Sequence, residues 1–298
     1  MRKHPVILGI FLLSLIGVVF LLFVYGLTSG RNRHVFTLSG KVGVVPIEGV
    51  ILDSQDLVDQ LEEFSKDDSI KAVVLRIDSP GGGVVPSQEI YEAVLDLKKK
   101  KRVVASMGSV AASGGYMIAC AADKIVANPG TITGSISALM HFANAEELLK
   151  KIGLKSSVIK SGRYKDIGSP VREMTGDEKA LLQSLVDDIY EQFLETVGKE
   201  RKIPKEKLKK IADGRVFSGR QAQKLGLVDL LGDRGYAVSL AGKMSHIKGE
   251  IEVVYPKRKR VSFGDFILQE LTSSLIGEYR VKQLRLHGAN YLFSGGEL

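Results

Sequence analysis

What most constrains this chain is the recurrence, roughly every thirty residues, of a short apolar run closed by glycine or polar punctuation. Val42 to Ile47, Ala72 to Ile77, Arg102 to Ser106 and Lys124 to Ala127 read as buried strands. Helical spacing fills the gaps: Leu57, Val58, Leu61 and Phe64 follow Ser54 as a cap, and Pro86 to Lys99 carries proline in its first turn. Strands alternating with helices imply right-handed βαβ crossovers and a parallel sheet, an α/β fold whose working loops lie at the carboxyl ends of the strands.

Two glycine-rich turns therefore fall at one sheet edge, Pro80-Gly81-Gly82-Gly83 and Ser113-Gly114-Gly115. The second follows a strand that closes at Met107-Gly108-Ser109 and leads into a helix, so Ser113 stands at a bend. A serine at a strand-to-helix bend projects its hydroxyl beside the next backbone N–H, that of Gly114, and the helix N-terminus favours negative charge there. An amide from Gly81 or Gly82 can join it to hold an oxyanion. The plain alternative is that Ser113 caps the helix and the small residues only allow close packing. A phosphate cradle does not fit, because neither GxxxxGK[ST] nor GxGxxG occurs.

The first residues read differently. Met1 to His4 are basic, and Pro5 to Leu27 is an apolar run without charge, long enough to span a bilayer at about 1.5 Å per residue. It reads as a retained transmembrane anchor, followed by a linker over 28–40, a catalytic domain over 41–250 and a tail over 251–298 that ends in a terminal helix. Arg2 and Lys3 face Arg31 and Arg33 across the span, a weak asymmetry that favours a cytoplasmic N-terminus. The net charge of +8 comes from scattered runs such as Lys98 to Arg102, Lys205 to Lys210 and Lys257 to Arg260. The first two have no interleaved aromatics and tryptophan is absent, so they read as solvated or membrane-facing surfaces rather than a nucleic-acid groove. The single cysteine, Cys120, excludes an intrachain disulfide and a cysteine metal cluster.

Further on, Asn144 to Ile152 has helical spacing, Ser156 to Ile159 reads as a strand, and 160–170 is a polar loop. Thr175-Gly176-Asp177-Glu178 has capping-box form and opens a long helix with Leu181, Leu185, Ile189 and Phe193 on one face. Shorter helices follow around Pro204 to Ile211 and Ser218 to Leu225. A serine nucleophile needs a base. Of five histidines only His141 is placed to serve, and its apolar neighbours suit a packed side chain equally well. The other candidate is Lys165, in a loop of glycines and small hydroxyl residues, where a lysine held neutral by desolvation could act.

Four stretches then carry a resemblance: Asp78-Ser79-Pro80-Gly81-Gly82-Gly83, Gly108 to Tyr116, Asn128 to Ile136, and Gly162 to Pro170. In order and spacing they resemble the signal peptide peptidase A family in its short, single-repeat, membrane-anchored form, over about Val42 to Gly235. The resemblance implies a Clp-protease-like, crotonase-type βαβ spiral fold and a Ser/Lys serine endopeptidase that degrades signal peptides left in the membrane. It implies Ser113 as nucleophile, Lys165 as general base, Ser135 as the hydroxyl that hydrogen-bonds the lysine, and Gly114 with Gly81 or Gly82 as the oxyanion hole. It also implies a homo-oligomeric ring whose neighbouring subunits complete or wall the site, an extracytoplasmic catalytic domain on a single-pass anchor, and no metal or cofactor. The competing readings are a His141-based triad on the same fold, a crotonase-type acyl-CoA enzyme, and a membrane-tethered scaffold.

Overall fold

The computed structural model describes residues 13–21, 40–257 and 290–292. The chain divides into two compact units, Met1–Ser39 and Gly40–Leu298. In the first, residues 13–21 form helix α1, whose apolar side chains, Leu13 and Phe20 among them, are exposed. The rest of the apolar run over 5–27 lies outside the described residues, as do most of the linker and of the expected terminal helix. No helix among the described residues is long and apolar enough to cross a membrane.

The second unit opens with β1 (Lys41–Glu48), α2 (Gln55–Lys66), β2 (Ile70–Ser79), β3 (Gly81–Gly83), α3 (Val84–Lys98), β4 (Arg102–Ala112), α4 (Gly114–Cys120), β5 (Lys124–Ala127) and β6 (Ile132–Gly134). It continues with α5 (Glu146–Lys151), α6 (Gly176–Arg201), α7 (Lys205–Lys209), β7 (Val216–Ser218), α8 (Gly219–Lys224), β8 (Leu230–Leu231), α9 (Arg234–Met244), β9 (Glu252–Val254) and β10 (Asn290–Leu292). Among the described residues the main sheet runs β7-β6-β4-β2-β1-β9, with β5 between β4 and β8. β1, β2, β4, β5 and β6 pair in parallel, as the βαβ recurrence requires. Alternation along the strands fills both faces. Val73, Leu75 and Ile77 join Leu61, Ile90 and Phe193 in the larger core, while Val42, Val44, Ala72 and Val74 pack under Ala237 and Ala241 of α9.

The element that positions the site is β4. It does not close at Met107-Gly108-Ser109, as its local sequence suggests, but runs on to Ala112. Ile77 pairs with Met107 and Ser79 with Ala111, so β4 carries two more residues than β2 between those pairs. That bulge bends the strand and changes its outer partner from β5, at Val104 to Ser106, to β6, at Val110 to Ala112. Asp78 sits in the bend and accepts the Val110 N–H through Oδ1 at 3.0 Å.

Other expectations change with tertiary context. Gly81–Gly83 is a strand as well as a turn, bridged to Ile51 and paired antiparallel with β10. Residues 156–159 form no strand; Val158 and Ile159 are exposed, because a β-branched run becomes a strand only where a sheet edge accepts it. Ser54 makes no capping bond and instead donates to the Glu89 carboxylate, while Asp53 Oδ1 accepts the Gln55 N–H at 2.8 Å. The capping box at Thr175 forms, with both of its reciprocal bonds present.

Candidate active site

Ser113 is the single residue between β4 and α4, and its backbone is held at φ 54°, ψ −119°. Its N–H donates to the Gly134 carbonyl at 2.8 Å and its carbonyl accepts from the Met117 N–H at 2.9 Å, so the chain is fixed on both sides of the bend. An L-residue with this φ costs about 1–3 kcal/mol, a strain that persists only where the surroundings impose it. The Ser113 side chain forms no capping hydrogen bond. The plain reading of this serine as a cap therefore loses its support, and a hydroxyl 1 % exposed is left without that role.

The scaffold under Ser113 is polar and paired. Thr131 Oγ1 donates to the Gly108 carbonyl at 2.7 Å, and Thr133 Oγ1 to the Ala111 carbonyl at 2.6 Å. With Asp78 these bonds brace the last turn of β4 from both sides. All three lie in the glycine-rich stretches 78–83 and 128–136, with nothing in the local sequence to mark them. A buried acid or threonine carries a recognisable signal only once the carbonyl it serves is known.

Ser135 follows β6 directly and stands beside Ser113 in the strand register, since Ala112 pairs with Gly134. It too has a positive φ, 51°, and its N–H donates to the Arg215 carbonyl at 2.9 Å. Two adjacent serines are thus held at positive φ at one sheet edge.

The glycines approach from β3 and α4. A Cβ on Gly114 would lie 2.3 Å from Ser87 Oγ and 3.4 Å from the Gly82 nitrogen, so these backbones touch only because Gly114 has no side chain. Ser87 is held in turn by donating to the Gly83 carbonyl at 2.8 Å. The Gly81 N–H is already given to Ser79 Oγ at 3.1 Å, and Ser79 donates to the Gly49 carbonyl at 2.6 Å. Gly82 is therefore the glycine of β3 whose amide nitrogen packs on Gly114. Along β3 lies an extended strand, β10, with Leu292 opposite Gly81, Tyr291 opposite Gly82 and Asn290 opposite Gly83.

The two candidate bases lie apart from this edge cluster in their surroundings. Lys165 is exposed on the 160–170 loop, and its side chain forms no hydrogen bond or ion pair among the described residues. Its N–H donates to the Gly162 carbonyl at 3.2 Å. His141 is exposed as well rather than packed, and has no side-chain partner among the described residues. The loop is nevertheless heavily tied. Asp166 accepts from Arg172 and Lys160, which hold its carboxyl far below the usual range. Arg172 and the Thr175 N–H draw Glu178 down to about 2. Within α4, burial pushes the Cys120 thiol up to about 12, and Tyr116 donates its hydroxyl to the Leu227 carbonyl at 2.9 Å.

The model of peptidase family S49 matches residues 95–248, and that of Clp protease matches residues 47–132. The chain is 47 % identical over 211 residues to a Synechocystis sp. protein named as a candidate protease, slr0021, covering 68 % of this chain and 76 % of that one. It is 39 % identical over 203 residues to a similarly named Methanocaldococcus jannaschii protein, MJ0651, covering 68 % and 65 %. Against the chloroplastic serine protease SPPA of Arabidopsis thaliana it is 32 % identical over 260 residues, covering 85 % of this chain but 38 % of that protein. The mixed α/β fold carries the Clp-protease match, and the family match together with these relatives makes the protein a serine protease. The chain belongs to peptidase family S49 and is of its signal peptide peptidase A type.

Proposed function

We propose that this protein is a membrane-anchored serine endopeptidase that degrades signal peptides remaining in the membrane, with Ser113 as nucleophile and Lys165 as general base. The observation that carries the reading is the Ser113 backbone at φ 54°, held at the carboxyl end of β4 with its side chain unused as a cap. Strain of this kind at a strand-to-helix bend presents a nucleophile beside the amide that follows it.

In the reaction, neutral Lys165 takes the Ser113 proton as Oγ attacks the scissile carbonyl. The amides of Gly114 and of Gly82, the neighbour of Gly81, hold the oxyanion. The lysinium then protonates the leaving amine, and a water activated by Lys165 releases the acyl group. Ser135 would orient the lysine once the exposed Lys165 side chain is brought to the sheet edge. The antiparallel strand along Gly81–Gly83 supports an extended peptide lying on the same edge, because backbone pairing accepts any sequence. No metal or cofactor takes part.

Lys165 comes from a surface rich in exposed apolar side chains, including Leu148, Ile152, Leu154, Val158 and Ile159. A monomer rarely leaves such a set in water, so this arm packs on a neighbouring copy in a homo-oligomeric ring. Such packing would exclude water around the lysine, which a lysine base requires. The apolar run from Pro5 to Leu27 serves as the single-pass anchor, with the catalytic domain on the extracytoplasmic side.

The test is hydrolysis of a fluorogenic peptide with a small residue before the reporter, measured between about pH 6 and 10. Ser113→Ala and Lys165→Ala are each expected to lower kcat by roughly 10³-fold or more, and His141→Ala to leave it intact. Loss of activity in His141→Ala, or its retention in Lys165→Ala, would overturn the assignment.

A further inference from the structure

Around Lys165 the backbone of its loop makes only short turns. Residues 160–165 are all exposed, and the loop advances through successive turns, Lys165 N–H to Gly162, Ile167 N–H to Tyr164 and Ser169 N–H to Asp166, at 3.1–3.2 Å. Single turns of that kind open easily in water. Besides the exposed Arg163–Asp177 ion pair, one side chain, Arg172, ties the loop to the start of α6.

The Arg172 guanidinium is engaged at all three nitrogens. Nε and Nη2 donate to the two carboxylate oxygens of Asp166 at 2.8 and 2.9 Å, and Nη2 also donates to the Asp166 backbone carbonyl at 3.1 Å. Nη1 and Nη2 donate to the two oxygens of Glu178 at 2.8 and 2.5 Å, and Nη1 to the Glu173 carbonyl at 3.0 Å. Glu178 is itself 3 % exposed and belongs to the capping box of α6, since its Oε2 accepts the Thr175 N–H at 2.9 Å. Lys160 closes the loop from the other end, donating to the Arg163 carbonyl at 3.0 Å and to Asp166. The chain of contact therefore runs from the first turn of α6, a helix held on the core through Ile189, Phe193 and Val197, through Arg172, to both the side chain and the backbone of the residue next to Lys165. Nothing else among the described residues equals it.

We infer that Arg172 is the positioning residue for Lys165: it anchors the 165–166 peptide to the start of α6 through Asp166 and Glu178, and so fixes where the lysine side chain begins. This rests on the reading of Lys165 as general base. Only a planar fork can grip two carboxylates and two carbonyls together, so lysine at position 172 keeps the charge and loses the device.

The experiment is a double-mutant cycle on the full-length chain with a fluorogenic peptide, using a small alkylamine to rescue Lys165→Ala. Arg172→Met and Arg172→Lys are both expected to lower kcat by about 10²-fold with KM within about twofold, the size of effect that misplacing a catalytic group by about 1 Å produces. In the Lys165→Ala background the amine-rescued rate should be the same with or without the Arg172→Met change, because a free amine does not need the loop. Asp166→Asn, which keeps volume and weakens the grip, should lie between wild type and Arg172→Met. If Arg172→Met reduces the amine-rescued rate as much as it reduces the wild-type rate, Arg172 supports the whole fold and the positioning role is refuted. If Lys165→Ala is active without amine, the base assignment fails instead. If Arg172→Met retains wild-type kcat, the inference falls and the base assignment stands.

Discussion

The backbone strain at Ser113 can be measured without reference to catalysis. Ser113 has φ 54° and ψ −119°, a region glycine enters freely and other L-residues do not. Replacing it with alanine removes the hydroxyl and keeps the Cβ clash; replacing it with glycine removes both. The strain is worth about 1–3 kcal/mol, and the extra chain entropy of glycine returns roughly 0.5–1 kcal/mol of that. Ser113→Gly should therefore be more stable than Ser113→Ala by about 0.5–2 kcal/mol. For a domain of this size each kcal/mol moves Tm by roughly 2–4 °C, so a rise of about 1–8 °C is expected. Both variants lack the nucleophile, so substrate turnover does not enter the comparison, and thermal unfolding followed by far-UV circular dichroism at one protein concentration reads the difference. A Tm for Ser113→Gly equal to or below that of Ser113→Ala would refute the claim that this position stores strain, and with it the main structural argument for the nucleophile.

Gly82→Ala would place a Cβ 2.1 Å from the Ile51 carbonyl oxygen, a backbone atom that cannot swing aside; we expect kcat to fall by roughly 10²–10³-fold, and near-normal turnover would remove β3 from the oxyanion site. Cys120 is buried, and its thiol is pushed up to about 12 by that burial; it should resist a thiol reagent at pH 8 in the native protein and react at once in denaturant, so rapid native labelling would contradict the packing of α4. Asp166 and Glu178 both titrate below their ordinary values, Glu178 at about 2 rather than 4.5. Their contribution is thus fully present above the ordinary carboxylate range and is lost as pH falls toward about 2. Limited proteolysis within 160–172 should accelerate on acidification through that window before the central strands exchange their amides, and a cleavage rate flat with pH would argue against the ionic clasp. A chain ending at residue 289 lacks the strand paired with Gly81–Gly83; its KM for an extended peptide should fall with kcat unchanged, and an unaltered KM would show that β10 and substrate do not share this edge.

Much of the architecture is written in local pattern. The apolar runs at Val42, Ala72, Arg102 and Lys124 are strands because β-branched side chains at that density bury on both faces, and the parallel order follows from the helices between them. The bend at Ser113 and the capping box at Thr175 are legible because each depends on residues within a few positions of one another, and Gly81–Gly83 fall at the same edge because parallel strands end on one side of the sheet. Helix α9 was not legible, because the face it buries is made of Ala237, Ala241 and Gly242, which leave no apolar stripe. The strand expected at 156–159 failed for the converse reason, a strong local preference with no sheet edge to receive it.

Local sequence, then, is enough to say which segments extend, which coil and where the chain must turn. How far β4 runs is set in the packed fold, through a two-residue bulge that exists only in its register against β2 and through the carboxylate of Asp78 that fills it. The same packing places Ser135 beside Ser113, because β6 replaces β5 along that strand. These pairings join residues whose separation along the chain says nothing about their distance in space. Their energies arise from hydrogen bonds that form only once the strands and helices are already in place.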